Sequence, residues 1–212
     1  MQTIKATPGH SQAEIDVWDA PTRVLHWLMV LCFAGAYLTS EGRIWRALHV
    51  TFGYTMAGLL VFRVIWGIIG TRYARFTNFV RAPAAAWAYL RSLLTRHPQH
   101  FAGHNPAGGL AIIALLATGA AVTLSGWVAL QESSKDLWED VHETFANLML
   151  ALVLLHVAAV VFSSWLHHEN LVASMIHGRK AGPAGTGIRH LYRSIGVLLL
   201  LAVAGFWYLR WR

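Results

Sequence analysis

Five apolar runs, at residues 25–38, 49–70, 110–130, 142–166 and 195–209, constrain this chain more than any other feature. A spanning helix needs about 20 predominantly apolar residues, and only a helix or a closed barrel satisfies every backbone N–H and C=O inside hydrocarbon. The runs predict an all-α integral membrane protein: a four-helix transmembrane bundle with a short fifth C-terminal span. Composition agrees, since 56% of the 212 residues are hydrophobic and 13% charged, against roughly a quarter charged in soluble proteins. No repeat of fixed period is visible. The expected division is a tail over residues 1–16, a membrane domain over 17–180, and a linker with the fifth span over 181–212.

The net charge of +7 would suit nucleic acid if it were spread over a soluble surface. It follows the spans instead, and no nucleic-acid partner is expected. The connection from 71 to 106 carries Arg72, Arg75, Arg81, Arg91 and Arg96 without an acid, and Arg179, Lys180, Arg189 and Arg193 follow the fourth span. The connection from 131 to 140 carries Glu132, Asp136, Glu139 and Asp140 against Lys135. The positive-inside rule then places the N-terminus and the basic connections of this multi-pass protein in the cytoplasm. Arg210 and Arg212 would fall outside, against that rule. Residues 1–19 lack an apolar h-region, so the first span is expected to stay in the mature chain. Cys32 is the single cysteine, which rules out an intrachain disulfide or a cysteine-based cluster. The segment from Pro83 has helical spacing and is expected to lie at the interface, with Trp87 and Tyr89 at headgroup level.

Twelve histidines are many for this length. Most lie in polar segments, but His26, His49, His142 and His156 lie within or at the ends of spans, where an ionisable group is costly and therefore a functional candidate. Fourteen residues separate His142 from His156, a rise of about 21 Å with an angular offset of about 40°. They share one helix face at two depths. His49 opens the second span, which enters from outside, and matches His142. His26 lies early in the first span, which enters from inside, and matches His156. Two imidazole pairs at two levels suit bis-histidine ligation of two b haems within a bundle. Gly53, one turn below His49, would let a flat macrocycle approach the backbone. Arg63, fourteen residues beyond His49, and Arg23, one turn before His26, would meet the haem propionates.

WDAPTRVLHW (18–27), LHVTFGYTMAGLLVFRVIWG (48–67), GHNPAGG (103–109) and VHETFANLMLALVLLH (141–156) resemble the bacterial cytochrome b561 family, which includes the cytochrome b subunits of nickel-iron hydrogenases. The resemblance runs over residues 17–180. It implies a membrane bundle with two b haems, ligated by His26 with His156 and by His49 with His142. It also implies electron transfer between the quinone pool and a periplasmic redox partner, such as a c-type cytochrome or a hydrogenase subunit. A relative resembling a superoxide oxidase supplies the alternative activity, superoxide to ubiquinone at the periplasmic face, for which Arg43, Arg46 and Lys135 are the available cations. A histidine-based metal transporter is a third class, disfavoured by the lack of intramembrane carboxylates.

Overall fold

The computed structural model describes residues 12–93, 101–131 and 135–212. Among the described residues, five helices are long and apolar enough to cross a membrane: α1 (Ala20–Leu38), α2 (Arg46–Ile69), α5 (Pro106–Gln131), α6 (Lys135–Leu166) and α8 (Arg193–Trp211). Two short helices, α3 (Phe76–Phe79) and α4 (Pro83–Ser92), lie between α2 and α5, and α7 (Leu171–His177) follows α6. The protein is therefore an all-α membrane bundle, with one small sheet of β1 (Gln12–Asp16) and β2 (Arg179–Pro183).

Local chemistry sets the helix starts. Asp19 is the N-cap of α1, its carboxylate accepting the Thr22 N–H at 2.8 Å, with Pro21 in the first turn where its missing N–H costs nothing. Asn105 plays the same part before α5, accepting the Gly108 N–H at 2.7 Å with Pro106 as the first helical residue. Asn170 caps α7 through the Ala173 N–H, and Gly178 ends it at φ 92°. A side chain there would be strained, and its Cβ would also meet the Trp18 carbonyl at 2.7 Å.

Packing is pairwise. α1 lies along α2 and α8, α5 lies along α6, and α2 meets α5, whereas close backbone contact between α6 and either α1 or α2 is sparse. Leu25, Cys32, Met56, Leu59 and Leu60 form the shared apolar core of the α1–α2 side. On α6 the less exposed positions recur at helical spacing through Phe145, Met149, Leu152 and Val153, and both His142 and His156 lie on that stripe. The outward residues, Leu154, Leu155, Leu198, Leu201 and Leu209 among them, are exposed as a lipid-facing surface requires.

The fifth span is not an appendage. α8 has 19 residues, as many as α1. Trp207 on it donates through Nε1 to Thr55 Oγ1 at 3.0 Å and packs edge-on against Phe52 with ring centres 5.0 Å apart. The expected N-terminal tail gives way from Gln12 to β1, which pairs antiparallel with β2 from Gln12↔Pro183 to Asp16↔Arg179. The linker expected from residue 181 begins inside that strand. The N–H groups of Val17 and Trp18 both bond the Gly178 carbonyl, at 2.8 and 2.9 Å. These strands and Trp18 close the end of the bundle at which the basic connections gather. α4 corrects the interfacial reading in one respect: Trp87 is 59% exposed, but Tyr89 is 4% exposed, turned inward to Asn105 and Phe101.

Candidate functional site

Two histidines face one another across the interior. His49 on α2 and His142 on α6 have ring centres 5.9 Å apart with planes at 81°. Each is held from behind. His49 Nδ1–H donates to the Ala36 carbonyl of α1 at 2.8 Å, and His142 Nδ1–H donates to the Val122 carbonyl of α5 at 2.9 Å, with Ser125 Oγ at 3.4 Å. Both carbonyls are acceptors only, so the proton is fixed on Nδ1 and the lone pair is left on Nε2. A metal-ligating imidazole has this tautomer, with its other ring nitrogen held by a carbonyl in the same way. Imidazoles bound to opposite faces of one metal at bonds of about 2 Å have ring centres about 6 Å apart. The spacing fits a haem iron. Gly126 makes room for this arrangement, since a Cβ there would lie 2.8 Å from Nδ1 and Cε1 of His142.

At the other end, His26 on α1 and His156 on α6 are close enough that a charge on one is felt by the other. Neither has the carbonyl contact seen in the first pair, and His26 Nδ1 is buried without a partner. Its ring lies edge-on to Trp27, whose Nε1 donates to the Met175 carbonyl at 3.2 Å. A fifth histidine joins this region. His104 sits between Trp18 and Phe79, ring centres 4.6 and 4.8 Å away. Burial, with Arg63, Lys180 and the two helix histidines adding repulsion, pushes it down to about 3. His104 is neutral and carries one N–H.

A carboxylate organises the same end. Asp19, 0% exposed, accepts from Trp66 Nε1 at 3.1 Å, Thr71 Oγ1 at 2.6 Å and the Thr22 N–H. Arg63, 7% exposed, lies within its electrostatic reach, donates to the Ala74 carbonyl at 3.3 Å and stacks over Phe76 at 4.9 Å. Arg23 donates to the Ile176 carbonyl at 2.6 Å, while its Nε is buried without a partner. Lys180 bonds Glu169 at 3.2 Å and the Phe101 carbonyl at 3.2 Å. Burial pulls its ammonium below the ordinary lysine range and Glu169 works against that.

Among the predicted residues, the structure brings His49 and His142 into contact, sets His26 and His156 within electrostatic reach, and buries Arg63 beside Asp19. Gly53 has nothing within 4 Å of the Cβ position, so that face of α2 is open. Sequence reasoning missed Asp19, Trp18, Gly126 and the role of His104. The signals were present for two of them: Asp19 reads as an N-cap before a proline, and His104 falls in GHNP just ahead of a helix start. Among the described residues no cluster of three or more histidine, cysteine or carboxylate side chains is placed to hold a metal ion. Two imidazoles suffice when a porphyrin supplies the other ligands.

Five membrane helices with histidines meeting across their interior define a membrane redox protein of the cytochrome b class. Residues 17–178 match the family described as prokaryotic cytochrome b561, and the chain belongs to that family. It is a multi-pass bacterial membrane protein that carries haem b and moves electrons across the membrane. The chain is 26% identical over 215 residues to a probable Ni/Fe-hydrogenase B-type cytochrome subunit of Azotobacter vinelandii, with 79% of this chain and 88% of the relative covered. A protein of the same description from Rhizobium leguminosarum bv. viciae is 23% identical, with 82% and 94% covered. The probable Ni/Fe-hydrogenase 1 B-type cytochrome subunit of Escherichia coli (strain K12) is 26% identical over 147 residues, 56% of this chain and 61% of the relative. No solved structure matches the chain.

Proposed function

We propose that this protein is a dihaem cytochrome b that relays electrons between the quinone pool and a periplasmic redox partner of the hydrogenase or c-type cytochrome kind. His49 and His142 ligate the outer haem iron, and His26 and His156 the inner one. The observation that carries the reading is the facing pair His49 and His142, both with Nδ1–H held by a carbonyl and Nε2 left to bind metal. The names of the relatives support a hydrogenase-type partner. The haem would supply the one-electron chemistry; the chain supplies imidazole nitrogens on facing helices and buried charge that would set the potential.

Other residues take supporting parts. Gly53 leaves the α2 face open for a macrocycle edge, and Arg23 and Arg63 provide positive charge near the inner level. The basic connections put the N-terminus and the β1–β2 cap on the cytoplasmic side of the inner membrane.

The test is a reduced-minus-oxidised optical spectrum of the purified protein with haem quantitation. Two b haems per chain are expected, with one lost in His49→Ala or His142→Ala and the other lost in His26→Ala or His156→Ala. One haem that survives both His26→Ala and His49→Ala would sink the pairing. Quinol oxidation or quinone reduction in proteoliposomes, with and without a periplasmic acceptor or donor protein, tests the relay. Reporter fusions at the N-terminus test its side.

A further inference from the structure

Among the described residues, the buried side-chain polar atoms without a hydrogen-bond partner are Trp18 Nε1, Thr22 Oγ1, Arg23 Nε, His26 Nδ1 and His104 Nδ1. They are not scattered. Four come from one stretch of nine residues and the fifth packs against it, since the His104 ring is 4.6 Å from Trp18. Buried polar groups in native proteins are bonded as a rule, so a cluster of exceptions calls for a partner from outside the chain.

The chemistry of that partner can be read from the donors. An indole Nε1–H and a guanidinium Nε–H only donate, so they require an acceptor. The charge nearby leans in the same sense: Arg63, with a carbonyl bond at 3.3 Å and Asp19 within electrostatic reach, and Lys180, paired with Glu169, are joined by Arg23, so three cations stand against two carboxylates. An acceptor beside buried cations is best met by an anion, and a planar carboxylate suits N–H donors that converge from two segments. The inner haem assigned above to His26 and His156 carries two carboxylates at one edge, and His104 is within electrostatic reach of both histidines.

We propose that Trp18 and His104 are the hydrogen-bond donors that hold the carboxylates of the inner haem, in a recess whose cations are Arg63 and Lys180. This rests on the inner-haem reading and assigns the WD and GHNP segments a direct role in cofactor binding. Neither residue ligates iron.

Trp18→Phe and His104→Phe each remove the donor and keep an aromatic ring in place. The haem count of the wild-type protein is taken first; a single haem would overturn the two-haem reading itself. In a two-haem protein, each variant is titrated optically and its carboxylate bending band read by resonance Raman. The expected result is a lower midpoint for the haem that His156→Ala removes, a shift of that band, and no change at the other haem. Selective loss of the inner haem supports the proposal equally. Unmoved midpoints and bands in both variants would overturn it, leaving the recess to water. A shift that depends on added quinone would overturn it too, because the donors would then hold a quinone carbonyl. Should Trp18→Phe not accumulate, His104→Phe decides alone, and loss of both haems from a protein that keeps its helicity counts against a local role.

Discussion

A methyl group on Gly126 would lie 2.8 Å from two ring atoms of His142, whose Nδ1–H is bonded to the Val122 carbonyl one turn earlier on the same helix. The imidazole cannot keep that bond and make way as well. Gly126→Ala is therefore expected to turn the ring, free its tautomer and lose the outer haem while the inner haem remains, as the spectrum and haem count would show. Gly53→Ala is the control on the opposite wall: nothing lies near its Cβ position, so an effect on haem content there would report the cofactor itself. At this scale the facing of His49 and His142 was legible, because the depth at which each span begins can be read from its apolar run. Gly126 was not, since its importance comes from α5 meeting α6, and a glycine in an apolar run carries no local mark of what crosses it. Asp19 was half legible: its capping role follows from sequence, but the donors Trp66 and Thr71 come from about fifty residues away.

Among the elements, β2 is tied to the end of α6 by Lys180 and Glu169, whose side chains are 5% and 15% exposed at 3.2 Å. Removing one member of a buried pair strands the other charge, at a cost of about 3–5 kcal/mol, whereas replacing both by apolar groups is often close to neutral. Lys180→Met should accordingly lower thermal stability strongly, and Lys180→Met with Glu169→Leu should recover most of the loss; melting of the purified protein followed by circular dichroism checks the cycle. A double-variant loss equal to the sum of the Lys180→Met and Glu169→Leu losses would show that the pair is not coupled. The five spans were legible as elements because hydrophobic length is a local property. β1 and β2 were not, because five-residue strands at opposite ends of the chain gain their regularity only from each other. Tyr89 shows the same limit, since helical spacing marked an apolar face but not the element, α5, that covers it.

For the whole molecule, the two proposed haems stand in unlike surroundings. Both outer ligands have Nδ1–H bonded to a carbonyl, which makes them more basic and favours ferric iron. Around the inner level Arg23, Arg63 and Lys180 outnumber Asp19 and Glu169, and His26 lacks such a bond; excess positive charge favours the ferrous form. Both differences have the same sign. The inner haem is expected to titrate at the higher potential, so that electrons run downhill from the outer face to the inner one. Potentiometric titration of the wild type, with the two midpoints assigned through His26→Ala and His142→Ala, checks the order; a higher midpoint for the outer haem would contradict it.

The sequence by itself determined that this chain lives in a membrane, how many times it can cross, and that His49 and His142 lie at one depth, because hydrophobic length and helical pitch act over neighbouring residues. Tertiary structure alone decided the rest. It brought Ala36 and Val122 behind two imidazoles, made α8 a packed member of the bundle, and folded β1 over the end where Trp18, Asp19, Arg63 and His104 gather. Hydrogen-bond partners and buried charge depend on which helices touch, and in an apolar bundle many pairings satisfy the same pattern until close packing selects one.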